Sequence, residues 1–243
     1  MDVVFTMLPN DDAVKKVYRS FIKHYTGDLY NTLFIDCSTV SPMTSKELQS
    51  YVRDHGCDMV DAPVSGGVKG AENKTLTFMC GGNDVAFSRA KPLLLHMGKN
   101  VVHCGDIGMG AVAKLCNNLA LGIQMIGICE ATNLGSAMGI DPNVLAGVMN
   151  SSTAKCWSSD VCNPHPDVAA SNNGPAANDY EGGFGTSLML KDIGLAVNAG
   201  HESGLSLPLG SAAREIYNMA EQRGLGKKDF GAVLQFLRGS NVE

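Results

Sequence analysis

The sequence predicts an α/β chain, a parallel sheet joined by one long helix to an all-α second half. Three observations predict it. Through the first hundred residues short β-branched runs alternate with helical stretches, the pattern of parallel crossovers covered on both faces. From Gly108 to Ile140 the chain is almost uncharged: Lys114 and Glu130 are the only charged residues between Val112 and Ile140, the composition of a helix buried on nearly every side. Beyond residue 186 the apolar spacing is helical with little β signal. The expected division is an α/β domain over 1–107 and a helical domain over 108–243 that includes a linking helix over 111–140.

Each element follows in order. Residues 2–7 (D-V-V-F-T-M) read as a buried strand ending at Leu8-Pro9. Asp11 and Asp12 then cap a helix with Val14, Val17, Tyr18, Phe21 and Ile22 on one face. Residues 33–36 form the next strand, Ser41-Pro42 opens a helix with a cap and an N-terminal proline, and Gly56 closes it. One strand is expected over 57–64, others over 75–80 and 101–104, with a helix over 84–96 between them. The long helix spans roughly 43 Å at about 1.5 Å per residue. After it, Asp141-Pro142 starts a helix running to Met149. A Ser-, Asn-, Pro- and Gly-rich loop follows over 151–185, and helices over 186–199, 207–222 and 228–237 complete the chain.

Composition removes several function classes. A net charge of -5, with no cluster of Lys and Arg longer than a pair, argues against a nucleic-acid surface. Lys114, Asn117, Asn118, Gln124 and Glu130 make the longest apolar run too polar for a membrane span. The eight cysteines include no C-x-x-C pair, and Cys80, Cys116 and Cys129 sit in apolar runs, so they read as buried hydrophobes of a reducing compartment. Neither they nor the six histidines show metal-ligand spacing.

The chemistry belongs at the carboxyl ends of the strands, where a parallel sheet places its ligands. Those ends carry Leu8-Pro9-Asn10, Ser38-Thr39 and Ser65-Gly66-Gly67. Paired glycines allow backbone N–H groups to approach a small anion; equally, Gly66-Gly67 is a turn and Ser38-Thr39 a helix cap. Lys114 has Asn117 at i+3 and Asn118 at i+4, which gathers an amine and two amides on one side of the helix. Buried, the amine loses hydration, its pKa falls from about 10.4, and it exchanges protons; alternatively it reaches out to solvent. The run Gly108-x-Gly110-x-x-Ala113 has the look of a dinucleotide fingerprint but leads into a helix followed by another helix, so it is rejected as a pyrophosphate site. Its glycines are expected to turn the chain and leave room beside Lys114. Lys191 either reaches into a cleft or pairs with Asp192 at the surface.

Taken together, T-M-L-P (6–9), D-C-S-T (36–39), D-A-P-V-S-G-G (61–67), G-x-x-x-K-x-x-N-N (110–118), C-W-S-S-D (156–160), G-G-F-G-T (182–186), K-D (191–192) and K-K-D-F (227–230) resemble the β-hydroxyacid dehydrogenases along the whole chain. The tryptophan and G-G-F-G segments favour the branch that acts on 3-hydroxyisobutyrate in mitochondrial valine breakdown. The resemblance implies a partial Rossmann-like sheet and NAD-dependent oxidation of a small 3-hydroxy acid to its semialdehyde. It implies Lys114 as the catalytic base, Asn118 holding the substrate, and Ser65, Gly66 and Gly67 cradling its carboxylate. It places Leu8, Pro9, Thr39 and Lys191 along the cofactor. It further implies a mitochondrial matrix address and a homo-oligomer formed through the helical half. The family opens with a strand and a G-x-G-x-x-G turn ahead of what here is Asp2, and this sequence has no counterpart. The chain as written is therefore expected to bind NAD weakly or not at all. The competing reading is a catalytically impaired oligomerisation or interaction module; a related semialdehyde reductase is another.

Overall fold

The computed structural model describes residues 2–170 and 173–239, and the chain divides into two compact units at Cys116/Asn117, inside the long helix.

The first unit is built on a six-stranded sheet: β1 (Val3–Thr6), β2 (Leu33–Asp36), β3 (Asp58–Asp61), β4 (Val64–Ser65), β5 (Leu76–Gly81) and β6 (Gly98–Gly105). β1, β2 and β3 run parallel, as do β5 and β6, while β5 is antiparallel to both β3 and β4. Alternation along the strands sends Phe34 and Met59 to one face and Leu33, Ile35 and Val60 to the other. The first face packs on α1 (Asp11–His24) and α2 (Pro42–Arg53) through Val14, Tyr18, Leu48 and Val52. The second packs on α4 (Asp84–Leu94) through Ala86, Ala90 and Leu94, and a short α3 (Gly67–Glu72) follows β4.

Several expectations are corrected. β1 is an edge strand paired only with β2 among the described residues, and Phe5 is 46% exposed, so it is not a buried strand. Asn10, not Asp11 or Asp12, caps α1 by accepting from the Ala13 N–H. Asp11 instead accepts from the Ser41 N–H at 3.0 Å and the Thr44 hydroxyl at 2.5 Å; burial pushes its pKa up, and these bonds outweigh it and leave the pKa lowered. Val17 lies exposed, off the packed face of α1. The single strand expected over 57–64 is two, because the chain breaks at Ala62-Pro63 and turns to pair antiparallel with β5.

The second unit contains most of α5 (Met109–Ala137), then α6 (Pro142–Ser151), α7 (Trp157–Asp160), α8 (Pro166–Ala169), α9 (Thr186–Glu202), α10 (Pro208–Ala220) and α11 (Val233–Leu237). Three short helical turns, α7, α8 and a 3-10 turn at Pro175–Asn178, occupy what read as a loop. The core joins Met125, Ile126 and Cys129 of α5 to Met189, Ile193 and Val197 of α9, Tyr217 of α10 and Phe230. The Tyr217 hydroxyl donates to the Gly122 carbonyl at 3.1 Å.

α5 is 29 residues long, but it is not buried all round. Val112, Cys116, Leu134 and Met138 form an exposed stripe at helical spacing, so Cys116 is not a buried cysteine. By length and composition this helix is also long and apolar enough to cross a membrane, contrary to the reading of its polar interruptions. Its opposite face packs in the core just described.

Candidate functional site

Lys114 lies in the second turn of α5 and is buried, 6% exposed. The start of that helix is fixed by Asp61 at the end of β3. Its Oδ1 accepts from the Gly108 N–H at 2.6 Å and its Oδ2 from the Ala111 N–H at 2.7 Å. The first N–H groups of a helix have no partner within it, and a carboxylate here both satisfies donors and meets the positive end of the dipole. Burial pushes the Asp61 carboxyl up by more than the two N–H bonds pull it down, leaving it at about 6.

Of the glycines at this helix start, Gly108 turns the chain as expected and Gly110 makes room for Asp61. Gly108 turns the chain at φ +89, and a β-carbon on Gly110 would fall on the Met79 carbonyl and within 2.7 Å of Asp61 Oδ2. The Met79 N–H in turn donates to the Pro63 carbonyl at 3.0 Å. The first turn of α5 and the segment 61–67 therefore both pack on one residue of β5.

Within that segment Ser65 is the last residue of β4, opposite Thr77 of β5. Gly66 and Gly67 follow with φ +139 and +64, conformations that L side chains rarely adopt. Both are exposed, and nothing lies within 4 Å of where a Gly67 β-carbon would be. The two glycines thus open a short stretch of backbone to solvent beside a serine hydroxyl.

At the ends of β1 and β2, the Leu8 N–H donates to Ser38 Oγ at 2.8 Å, and Ser38 Oγ donates to Asp36 Oδ1 at 2.6 Å. Asp36 also accepts from Thr6 Oγ1 at 2.9 Å. Ser38 is therefore a strut between two strand ends and not a cap, which is Ser41. Leu8 and Thr39 are half-buried beside exposed Pro9. The Leu8 N–H is occupied and Pro9 has none, so this ledge offers apolar surface and few donors. That donor set fits a flat heteroaromatic ring; the turn Met7-Leu8-Pro9-Asn10 holds no glycine and supplies no cradle for a diphosphate.

In the second unit Asn118, 1% exposed, donates from Nδ2 to Asp192 Oδ2 at 2.6 Å and accepts from Asn117 Nδ2 at 3.0 Å. Lys191 Nζ lies 3.2 Å from Asp192 Oδ1. The pair is half-buried, since Asp192 is enclosed, so neither alternative read from the sequence describes it fully. A second buried carboxylate, Asp229, accepts from the Phe184 and Gly231 N–H groups, each at 2.9 Å, tying G-G-F-G to K-K-D-F. Burial pushes it up to about 6. Asp61 and Asp229 were missed as partners in the sequence, and Asp192 was read only as a partner of Lys191, although each lies inside a motif quoted above.

Residues 1–105 match a family model described as the NAD binding domain of 6-phosphogluconate dehydrogenase. Residues 108–237 match one described as the NAD-binding domain of NADP-dependent 3-hydroxyisobutyrate dehydrogenase. The mitochondrial 3-hydroxyisobutyrate dehydrogenase of Drosophila melanogaster is 47% identical over 98% of this chain and 72% of its own length. The chain belongs to the β-hydroxyacid dehydrogenase family. Within that family of oxidoreductases it is also similar to an NAD-dependent L-serine dehydrogenase of Pseudomonas aeruginosa, 42% identical over 96% of this chain and 77% of that protein. The structure of a Mycobacterium tuberculosis 3-hydroxyisobutyrate dehydrogenase with L-serine superposes with a TM-score of 0.89 at 41% identity, covering 98% of this chain and 79% of that one. Family membership accounts for the α/β sheet followed by a helical half.

Proposed function

We propose that the protein oxidises 3-hydroxyisobutyrate to methylmalonate semialdehyde, with NAD as cofactor and Lys114 as the base. The observation that carries this is a lysine buried one helical turn before a buried asparagine, on a helix whose start is gripped by the strand leading to Ser65-Gly66-Gly67. Oxidation of an alcohol needs a base within reach of the hydroxyl and a site that keeps water out. Lys114 Nζ takes the hydroxyl proton as the carbinol hydrogen leaves as hydride, and returns it in the reverse direction. Bound NAD+ supplies the hydride acceptor. Ser65 and the open backbone at Gly66 and Gly67 hold the carboxylate, and the Asn118 amide, fixed by Asp192, orients the substrate beside the lysine. Leu8, Pro9 and Thr39 line the nicotinamide end, with Lys191 as a further cofactor contact.

L-Serine shares the 3-hydroxy acid frame and is named for two of the similar proteins, so it is the competing substrate. The test is NADH formation with each enantiomer of 3-hydroxyisobutyrate and with L-serine, NAD+ in large excess. A higher kcat/KM for a 3-hydroxyisobutyrate enantiomer supports the assignment; a preference for L-serine reassigns the substrate, and activity on neither removes the function. The similar proteins from animals are named mitochondrial, and the same compartment, the matrix, is proposed here. A homo-oligomer formed through the helical half is proposed from the exposed Leu134, Met138, Val144 and Val148.

A further inference from the structure

We propose that Asp61 is a positioning residue for the reaction: its carboxylate, by gripping the Gly108 and Ala111 N–H groups, sets where Lys114 stands. The inference rests on Lys114 being the base. Lys114 follows Ala111 by three residues, so it projects from the same side of the first turns that Asp61 holds. Asp61 is 1% exposed, and Gly81 and Gly110 leave no room for a β-carbon beside its carboxylate. Both its oxygens are used, one on each N–H, 47 and 50 residues along the chain. A helix start held at two points by a buried anion cannot pivot or fray, and a lysine one turn inside inherits that fixity. Small displacements of a reacting group are expensive in rate.

The arrangement requires the carboxylate form, because a protonated carboxyl presents one carbonyl acceptor and turns a hydroxyl toward the other N–H. Asp36 on β2 lies in register beside Asp61, and Cys80 on β5 and Cys104 on β6 also face it. Burial raises both thiols, which stay neutral across the acidic range, and burial raises the Asp36 carboxyl too. Substituting Asp61 alone separates the two carboxyls.

The test compares Asp61→Asn with the unaltered chain and with Lys114→Ala. Asn keeps the shape but aims an NH2 at one of the two N–H groups. Amide hydrogen exchange is expected to quicken by about tenfold or more at residues 111–115, the effect of one lost hydrogen bond to a charged group, while β2 and β5 keep their protection. The kcat is expected to fall at least about tenfold with the KM for the hydroxy acid changed less than about threefold. Should Asp61→Asn not fold, exchange of the unaltered protein decides: protection at 111–115, corrected for intrinsic rate, falls as pH drops below about 6. An unchanged kcat, or exchange that quickens equally in β2 and β5, overturns the proposal. A fully active Lys114→Ala removes the underlying assignment of the base, a different result from an inactive Lys114→Ala beside an unaffected Asp61→Asn.

Discussion

Replacing Asp229 by Asn should make the stability of the helical unit less dependent on pH, by an amount that follows from the carboxyl's surroundings. Asp229 is raised to about 6 because burial disfavours its charge more than the N–H bonds from Gly231 and Phe184 favour it. In the unfolded chain the same group titrates near 3.9. A carboxyl whose folded pKa is raised binds its proton more tightly when folded. Its contribution to stability is full below about pH 4, is lost as pH rises to about 6, and is constant above. The rise from about 3.9 to about 6 corresponds to about 3 kcal/mol. Asn does not titrate, and it can accept only one of the two N–H bonds, at a cost of about 1–3 kcal/mol at any pH. The substitution should therefore cost about 2 kcal/mol more at pH 4 than at pH 7. Trp157, the only tryptophan, stacks on Phe230 at 6.4 Å, next to Asp229. Urea unfolding followed by its fluorescence reads this region directly. A cost that is the same at pH 4 and pH 7 would refute the reasoning, because it would mean the carboxyl titrates alike in both states.

Gly110→Ala places a β-carbon against the Met79 carbonyl and Asp61, and should lower the melting temperature by about 4–10 °C, from overpacking worth about 1–3 kcal/mol; calorimetry checks it. Gly67→Ala meets no neighbour and pays only for its positive φ, so it should melt within a few degrees of the parent while raising the KM for the hydroxy acid several-fold in steady-state kinetics. Asp192→Ala leaves the Asn118 amide without its acceptor and should lower kcat/KM by about tenfold or more, with a melting point that moves less than that of Gly110→Ala. Leu134→Glu, on the exposed stripe of α5, should convert an oligomer to a smaller species in light scattering after size exclusion, with circular dichroism unchanged.

Elements with local signals were legible. Ser41-Pro42 and Asp141-Pro142 cap and start α2 and α6 as their chemistry dictates, and β2 spans the four residues expected of it. Elements set by distant partners were not. α3 is six residues with two glycines and too short for periodicity, and β4 exists only because Pro63 breaks the strand and β5 offers an edge. The apolar composition of α5 announced a helix but could not say which side stays open, since Cys116 and Leu134 look no different from Cys129 and Met125 in sequence. At the site, Lys114 and Asn118 were visible as an amine and amide out of place among apolar residues. Asp61 was not, because its two partners lie about fifty residues away and neither is a side chain. The K-D pair could not disclose that Asp192 holds Asn118, because that side-chain amide lies 74 residues away in the chain.

Lys114 carries the proposed chemistry, and its removal is the most direct test. Lys114→Ala and the unaltered protein should be compared for NADH formation from 3-hydroxyisobutyrate at saturating hydroxy acid, with folding checked by circular dichroism. Loss of a positioned base should lower kcat by about 100-fold or more in a folded protein. Equal kcat in the two would contradict it.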